Sequence, residues 1–224
     1  MLKISEAVKD IVSSSEIPLT ALAKGYLNLS AYAKSIKGEV EEKAKKPVRT
    51  GSIIIALSRL KKSLKVLPPL LPEVTIEDLS VKSGLVEIAF DKTKKHLDRL
   101  SKLYTDKDFK ATEFFTVTQG TGDISIIALE RARPHILRIF KSLKPKAAIP
   151  NLVSITIRFS ESYIKVPNVI YKVLRMLAVK RINVVELVSS YTELTFILEQ
   201  CNLQEAFLTL NEMFQKSEKS DYLD

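Results

Sequence analysis

The sequence predicts an α+β protein in which an all-helical N-terminal domain precedes a βαββα unit that occurs twice. Apolar residues recur at helical spacing through the first third of the chain and alternate with polar residues over Val153–Phe159, as in a half-buried strand. The same order of helices and strands occurs twice, about 70 residues apart. With 224 residues, 46% hydrophobic and 27% charged, the composition is typical of globular proteins. We therefore expect domains at 1–72, 73–145 and 146–217, followed by a flexible tail at 218–224.

The N-terminal third contains several short helical patterns. One helix is predicted over 4–14, a second begins at Pro18, and Asn28 is a candidate N-cap for a third that continues to the interruption at Pro47. Thr50 opens a further helix, in which apolar residues recur at i, i+4, i+7 and i+11. Three prolines between residues 66 and 72 then mark a domain boundary.

The positive charge of the chain is concentrated in this helical third. Residues 1–71 carry 13 Lys+Arg and 6 Asp+Glu, net +7, whereas the remainder carries 22 and 20, net +2. Residues 43–72 contain eight basic residues and no acidic one. Such clustering is typical of a surface that binds a polyanion, most often nucleic acid, although a solvated basic face is the simpler alternative.

The segments 29–36 and 47–60 resemble a helix-turn-helix. The resemblance implies that the second helix contacts double-stranded DNA through its phosphates and base edges. The alternative is a helical bundle that packs on the rest of the chain or on a second copy. The candidate nucleic-acid contacts are Lys45, Lys46, Arg49, Thr50, Ser52, Arg59 and Lys62.

Each copy of the repeated unit reads as strand, helix, two strands joined by a tight turn, and a final helix. In the first copy, an additional strand at Ile76–Val81 is expected to form a hairpin with Leu85–Phe90 across the Ser83-Gly84 turn. The other predicted strands are 114–119, 123–129, 153–159, 184–189 and 193–198, and the predicted helices are 97–104, 134–140, 169–177 and 203–214. Such a repeat produces an antiparallel sheet with helices on one face.

The segments 166–174, 181–190 and 194–198 resemble an ACT domain, the ferredoxin-like regulatory module that binds amino acids. The tandem pair resembles the regulatory region of aspartate kinases. The resemblance implies two βαββα(β) units that share one sheet, form a homo-oligomer (a dimer) and bind an amino-acid effector at a strand–helix loop, here 158–168. The effector site carried over from the family comprises Ser160, Ser162, Val166, Pro167, Asn168 and Asn183. The first unit has only Asp91–Thr93 at the equivalent place and is expected to be structural.

Catalytic signatures are missing from the sequence. It has no phosphate-binding glycine loop and no zinc-protease motif, and His96 and His135 lie on different predicted helices. Cys201 is the only cysteine, which rules out an internal disulfide and suits a reducing cytoplasm. The longest uncharged stretch, 147–157, is too short to span a membrane. We therefore expect a cytoplasmic protein that is not an enzyme and that uses no metal or cofactor.

These observations favour a DNA-binding transcriptional regulator that responds to an amino acid through a tandem ACT module. The alternative is an ACT-type interaction module that regulates a separate amino-acid biosynthetic enzyme without binding DNA. A truncated aspartate kinase is excluded because no segment resembles the catalytic half.

Overall fold

The computed structural model describes residues 2–64, 71–106, 114–141 and 143–220, with side chains up to Met213. The chain divides into two compact units, Met1–Leu70 and Leu71–Asp224. The sequence predicts a proline-rich boundary at 66–72. Residues 66–70 of this segment lie outside the described residues.

The described part of the first unit consists of five helices: α1 (Ile4–Ser13), α2 (Glu16–Lys24), α3 (Leu29–Ser35), α4 (Lys37–Ala44) and α5 (Thr50–Leu64). The last of them, α5, packs against α1, α2 and α3 and buries Ile53, Ala56 and Leu57 in their shared apolar core. The side chain of Asn28 accepts a hydrogen bond from the backbone N–H of Ala31 at 3.0 Å, as expected of an N-cap.

The third helical pattern is broken, which the sequence did not predict. Ile36 ends α3 with φ −90° and ψ 0°, and α4 begins at the next residue. Ile36 and Val40 are both buried, so the apolar spacing that suggested one helix also suits two short helices meeting at a buried joint. Lys45 then ends α4 in the left-handed conformation, with φ 52°.

The second unit contains six strands and four helices among its described residues. Its elements are β1 (Asp78–Asp91), α6 (Lys94–Thr105), β2 (Phe115–Gln119), β3 (Asp123–Leu129), α7 (Arg133–Phe140), β4 (Ala147–Arg158), α8 (Val169–Val179), β5 (Glu186–Ser189), β6 (Glu193–Glu199) and α9 (Leu203–Ser220). A short 3₁₀ helix precedes α7 at Glu130–Ala132, and another precedes α9 at Gln200–Asn202. The order β1 to α7 thus recurs from β4 to α9, and α9 continues into the segment expected to be a tail.

The six strands form one antiparallel sheet in the order β2-β3-β1-β4-β6-β5. The predicted hairpin at Ser83-Gly84 is wrong, because β1 is one continuous strand that pairs with β4 on both sides of these residues. Asp78 lies opposite Arg158 and Ala89 opposite Ala147, with irregular register between Lys82 and Glu87. Gly84 has φ +71°, so the glycine that suggested a reversal forms a bulge instead.

The helices cover one face of the sheet, and the sheet curls around its other face. Buried residues on the covered face form one core beneath α6 and α7 and another beneath α8 and α9. The opposite, concave face has its own apolar cluster: Leu85, Ile127, Leu129, Leu152 and Ile197. The curl brings side chains from the two outermost strands together, since Thr118 on β2 donates a hydrogen bond to Glu186 on β5.

Candidate functional site

A cavity of about 630 Å³ lies at the start of α8, and we call it the α8 pocket. Its walls are the ten-residue connection between β4 and α8, the first two turns of α8, and the turn between β5 and β6. A 3₁₀ helix at Glu161–Lys165 shapes the connection, and the Ser160 side chain accepts a hydrogen bond from the Ser162 backbone at 3.4 Å. This pocket is therefore built by the segment in which the two copies of the repeat differ most in length.

The residues that line the α8 pocket are partly apolar and partly polar. The apolar part includes Phe159, Val166 and Leu174. The polar part comprises Ser160, Tyr163, Asn168, Tyr171, Ser189, Ser190, Tyr191, Thr192 and Glu193. A cavity of this size with convergent polar groups is typical of a small-molecule site.

The structure brings only part of the predicted effector site to this pocket. Ser160, Val166 and Asn168 line it, whereas Ser162 and Pro167 belong to the same connection but do not. Asn183 is exposed beyond the far end of α8, so it is separated from the pocket by the length of that helix. The tyrosines of the pocket were missed because their contributions depend on how the loop, the helix and the β5–β6 turn meet.

Asn168 immediately precedes α8 and has φ 68°, in the left-handed region. Asparagine tolerates this conformation better than most residues with a side chain. This left-handed residue sets the direction in which α8 begins, and the first turn of α8 lines the pocket.

The walls of the α8 pocket also hold the segment by which the chain enters the second unit. The Tyr163 hydroxyl accepts a hydrogen bond from the Thr75 backbone N–H at 3.1 Å, and the two hydroxyl groups are also 3.1 Å apart. Lys172 on α8 donates a hydrogen bond to the Pro72 carbonyl at 2.7 Å. Because of these hydrogen bonds, a change in the position of the β4–α8 connection or of α8 would also move residues 72–75.

The first copy of the repeat has no comparable connection. Only Lys92 and Thr93 separate β1 from α6, and Thr93 caps the helix by accepting a hydrogen bond from the His96 backbone. The His96 ring is buried beside Phe90 and Phe140, and its Nδ1 lies 2.7 Å from the Thr93 hydroxyl. This histidine is a packing residue with a satisfied polar atom.

A cluster of two carboxyl and two hydroxyl groups lies where the outer strands meet. The Ser125 Oγ is 2.8 Å from an oxygen of Glu87 and 3.0 Å from one of Glu186, which also accepts from Thr118. Burial raises the pKa of the Glu87 carboxyl; the Ser125 hydrogen bond lowers that pKa, and the Glu186 carboxylate raises it. The cluster joins strands from both copies of the repeat, so its role is structural.

In the first unit, five of the seven predicted nucleic-acid contacts are exposed. Thr50 and Ser52 are half-buried at the start of α5, and Lys45, Lys46 and Arg49 are exposed just before it. Along α5, Ser52, Ile55, Arg59 and Lys62 share one face at i, i+3, i+7 and i+10, and Ile55 is 56% exposed. We call this face, with Lys45, Lys46 and Arg49, the α5 face.

The described residues contain no group of three or more His, Cys, Asp or Glu side chains arranged to hold a metal ion. Cys201 is exposed, and its thiol lies 3.7 Å from a Glu199 carboxyl oxygen. Within the described part of the chain, no helix is both long and apolar enough to cross a membrane.

No model of a known protein family matches the sequence, and no curated protein matches it. The structure is similar to aspartate kinase from Clostridium acetobutylicum, with 16% identity and a TM-score of 0.53 over 65% of this chain and 36% of that chain. It is also similar to the regulatory subunit of aspartate kinase from Thermus thermophilus, with 11% identity and a TM-score of 0.52 over 62% of this chain and 98% of the other. A structure of aspartokinase alpha and beta subunits matches with 14% identity and a TM-score of 0.50, over 63% of this chain and 99% of that one.

The matched region thus spans about a third of the C. acetobutylicum kinase but almost all of the T. thermophilus regulatory subunit. At these identities the likeness shows the fold alone. That fold is the one seen in the regulatory, ACT-containing part of aspartate kinases, which supports the resemblance found in the sequence.

Proposed function

We propose that the protein is an amino-acid-sensing regulatory protein that catalyses no reaction itself. The observation that carries this proposal is the α8 pocket, which lies beside a helix N-terminus and is built by a connection of ten residues where the first copy has two. The similarity to a regulatory subunit of aspartate kinase is in keeping with this role.

The pocket suits the three parts of an amino acid. The first turn of α8 lies at the positive end of the helix dipole, where backbone N–H groups can receive the carboxylate. The serine, threonine and tyrosine hydroxyls of the lining can receive the ammonium group, and the apolar wall formed by Val166 and Leu174 can receive part of a side chain.

The coupling to the rest of the chain runs through the contacts of Tyr163 and Lys172 with residues 72–75. A ligand that orders the β4–α8 connection would change how firmly this segment is held, and hence the freedom of the helical unit that precedes it. Such a ligand acts by preferring one arrangement of the connection over another.

The test is a thermal-shift screen of the twenty amino acids on the full chain. A ligand at one hundred times its Kd adds about 2.7 kcal/mol, which corresponds to roughly 5–10 °C for a chain of this size. The substitution Ser190→Trp, which fills the pocket at the β5–β6 turn, should abolish the shift. The matched control is Thr121→Trp in the equivalent β2–β3 turn, which should retain it. A screen with no increase in Tm would refute amino-acid sensing.

For the helical unit we propose contact with double-stranded DNA, because the α5 face exposes basic side chains along one side of a helix. Neutralising phosphates releases counterions, so binding should weaken as salt rises. Arg59→Ala with Lys62→Ala should reduce the affinity and the salt dependence, whereas Lys9→Ala with Lys24→Ala, elsewhere on the same unit, should change both less. Salt-independent binding, or an unchanged affinity in the first variant, would favour the alternative, in which this face docks on a separate biosynthetic enzyme.

We further propose that the protein acts as a homodimer held together by its second unit. A dimer would bring two helical units into one molecule, as recognition of two half-sites on DNA requires.

A further inference from the structure

Among the described residues, the sheet of the second unit has unpaired strand edges at β2, at β5, at the first part of β4 and at the first part of β1, and all but the last are obstructed. The outermost strands β2 and β5 are joined by the hydrogen bond from Thr118 to Glu186, so an added strand would have to displace that contact. The first part of β4, Ala147–Asn151, extends beyond β6 but contains Pro150 and a left-handed Asn151 with φ 58°. Proline and irregular backbone are the usual protection of an exposed edge.

The edge at the first part of β1 is open. The first part of β1, Asp78–Lys82, pairs with β4 on one side, and β3 pairs only from Leu85 onward. The segment contains no proline, the left-handed Gly84 lies at the bulge that follows it, and on its outer side no described strand pairs with it. All of its residues except Leu79 are exposed, in contrast to the buried second half of β1.

An apolar cavity of about 530 Å³ lies beside this edge, and we call it the β1 groove. Its apolar residues are Val81, Leu203, Phe207 and Leu208, and Val81 and Leu208 are 40% and 56% exposed. The groove lies on the helical face of the sheet, because Val81 shares it with residues of α9. An open strand edge beside exposed apolar side chains is a surface that natural proteins leave only where something pairs with it.

The sequence of the edge, Asp-Leu-Ser-Val-Lys, is complementary to itself in antiparallel order. When two such strands pair about Ser80, Asp78 of each lies opposite Lys82 of the other, and Leu79 lies opposite Val81. Opposite charges and apolar pairs directly across two strands are both favourable. Neither Asp78 nor Lys82 forms an ion pair with any described residue of its own chain.

We propose that a second copy of this chain occupies the open edge, so that the two β1 strands pair antiparallel about a two-fold axis at Ser80. The two sheets become continuous across the dimer. The axis keeps the helical faces of both copies on the same side, and it therefore brings the two β1 grooves together and buries Val81 and Leu208. The proposal makes the dimer of the proposed function specific, because it assigns the interface to one strand and one helix.

The test is an exchange of charges, measured as the monomer–dimer Kd by sedimentation of the full chain without added amino acid. Asp78→Lys and Lys82→Asp each place like charges opposite one another and should raise Kd at least tenfold. The double variant restores opposite charges and should return Kd to near the wild-type value. An equimolar mixture of the two single variants should form a heterodimer, because each supplies the charge that the other lacks. Asp98→Lys and Lys94→Asp, on the exposed face of α6, are controls that should leave Kd unchanged.

A disulfide cross-link between the two copies is a second test of the same interface. Paired Ser80 residues have Cα atoms about 4.5–5.5 Å apart, which a disulfide can span. Ser80→Cys, in a chain with Cys201→Ser, should therefore give a cross-linked dimer under mild oxidation. A wild-type chain that stays monomeric, single variants that dimerise as wild type does, or a failure of the mixture to form heterodimers would overturn the proposal. Amino-acid binding at the α8 pocket is measured separately, so either result stands without the other.

Discussion

The carboxyl cluster that joins the outer strands predicts that Glu87→Gln stabilises the protein at neutral pH. Ser125 has one hydroxyl hydrogen but lies within hydrogen-bond distance of both Glu87 and Glu186. It can donate to only one carboxylate, and Thr118 already donates to Glu186. In the ionised form Ser125 donates to Glu87, whereas a protonated Glu87 can donate to Ser125 and leave the Ser125 hydrogen for Glu186, so that all the contacts are satisfied together.

The pKa of Glu87 is raised in the folded protein, chiefly by burial. The folded state then binds this proton more readily than the unfolded chain. The stabilisation is fully present below the ordinary pKa of about 4.5 and is lost as pH rises through the folded-state pKa. The side-chain amide that Glu87→Gln introduces donates to Ser125 at every pH. Since the carboxyl is partly solvated, we assign the variant a gain of about 1 kcal/mol, the net value of one hydrogen bond, or about 2–4 °C in Tm.

The assay is thermal unfolding of the full chain from pH 4 to pH 8. The Tm of Glu87→Gln should be close to that of wild type at pH 4 and exceed it increasingly as pH rises, until Glu87 is fully ionised. Glu193→Gln removes an exposed carboxylate on β6 outside the cluster. The difference in Tm between this variant and wild type should not increase with pH in the same way. A constant difference between Glu87→Gln and wild type, or a lower Tm for the variant at pH 8, would refute the assignment of the proton.

Two further substitutions test the α8 pocket. Tyr163→Phe removes both contacts with Thr75 and should cost about 1 kcal/mol; it should leave amino-acid binding detectable but remove any ligand-dependent protection of residues 72–75 from proteolysis. Asn168→Ala places an ordinary side chain at φ 68° and should lower the free energy of unfolding by about 1 kcal/mol, whereas Asn168→Gly should be tolerated. Equal losses of Tm in the two Asn168 variants would mean that the side chain, not the backbone, matters there.

Strands next to tight turns were predictable because the residues that specify them are close together in the sequence. The strands around the tight turns at 120–122 and 190–192 lie within about two residues of the expected positions, since alternation and turn residues specify both. The Ser83-Gly84 pair shows the limit of this reasoning. A glycine with positive φ is compatible with a turn and with a bulge. The bulge forms here because β4 pairs with β1 on both sides of the glycine, which the local sequence does not show.

The site was predictable in outline and not in composition. The resemblance to ACT domains indicated the connection after β4, which lines the α8 pocket, and the binding of an effector there stays a prediction. Its tyrosines and the β5–β6 turn could not be assigned, since they are brought together by the packing of α8 on the sheet. Asn183 was placed there by analogy alone, and the length of α8 keeps it away. The helix-turn-helix interpretation of the first unit stays a prediction.

The differences between the two copies of the repeat follow one physical logic. Both copies provide a long first strand at the centre of the sheet, and each of these strands extends beyond its outer neighbour. In the second copy that extension carries proline and a left-handed asparagine, while the connection that follows the strand has grown into a pocket. In the first copy the connection is reduced to Lys92 and Thr93, while the extension has no proline, ends at the Gly84 bulge, and is exposed and flanked by an apolar groove. In a duplicated unit, one copy can thus provide the ligand site and the other the self-pairing edge. Proline and the left-handed asparagine obstruct the β4 edge, so that, of these two edges, only the β1 edge is free to set the register of a dimer.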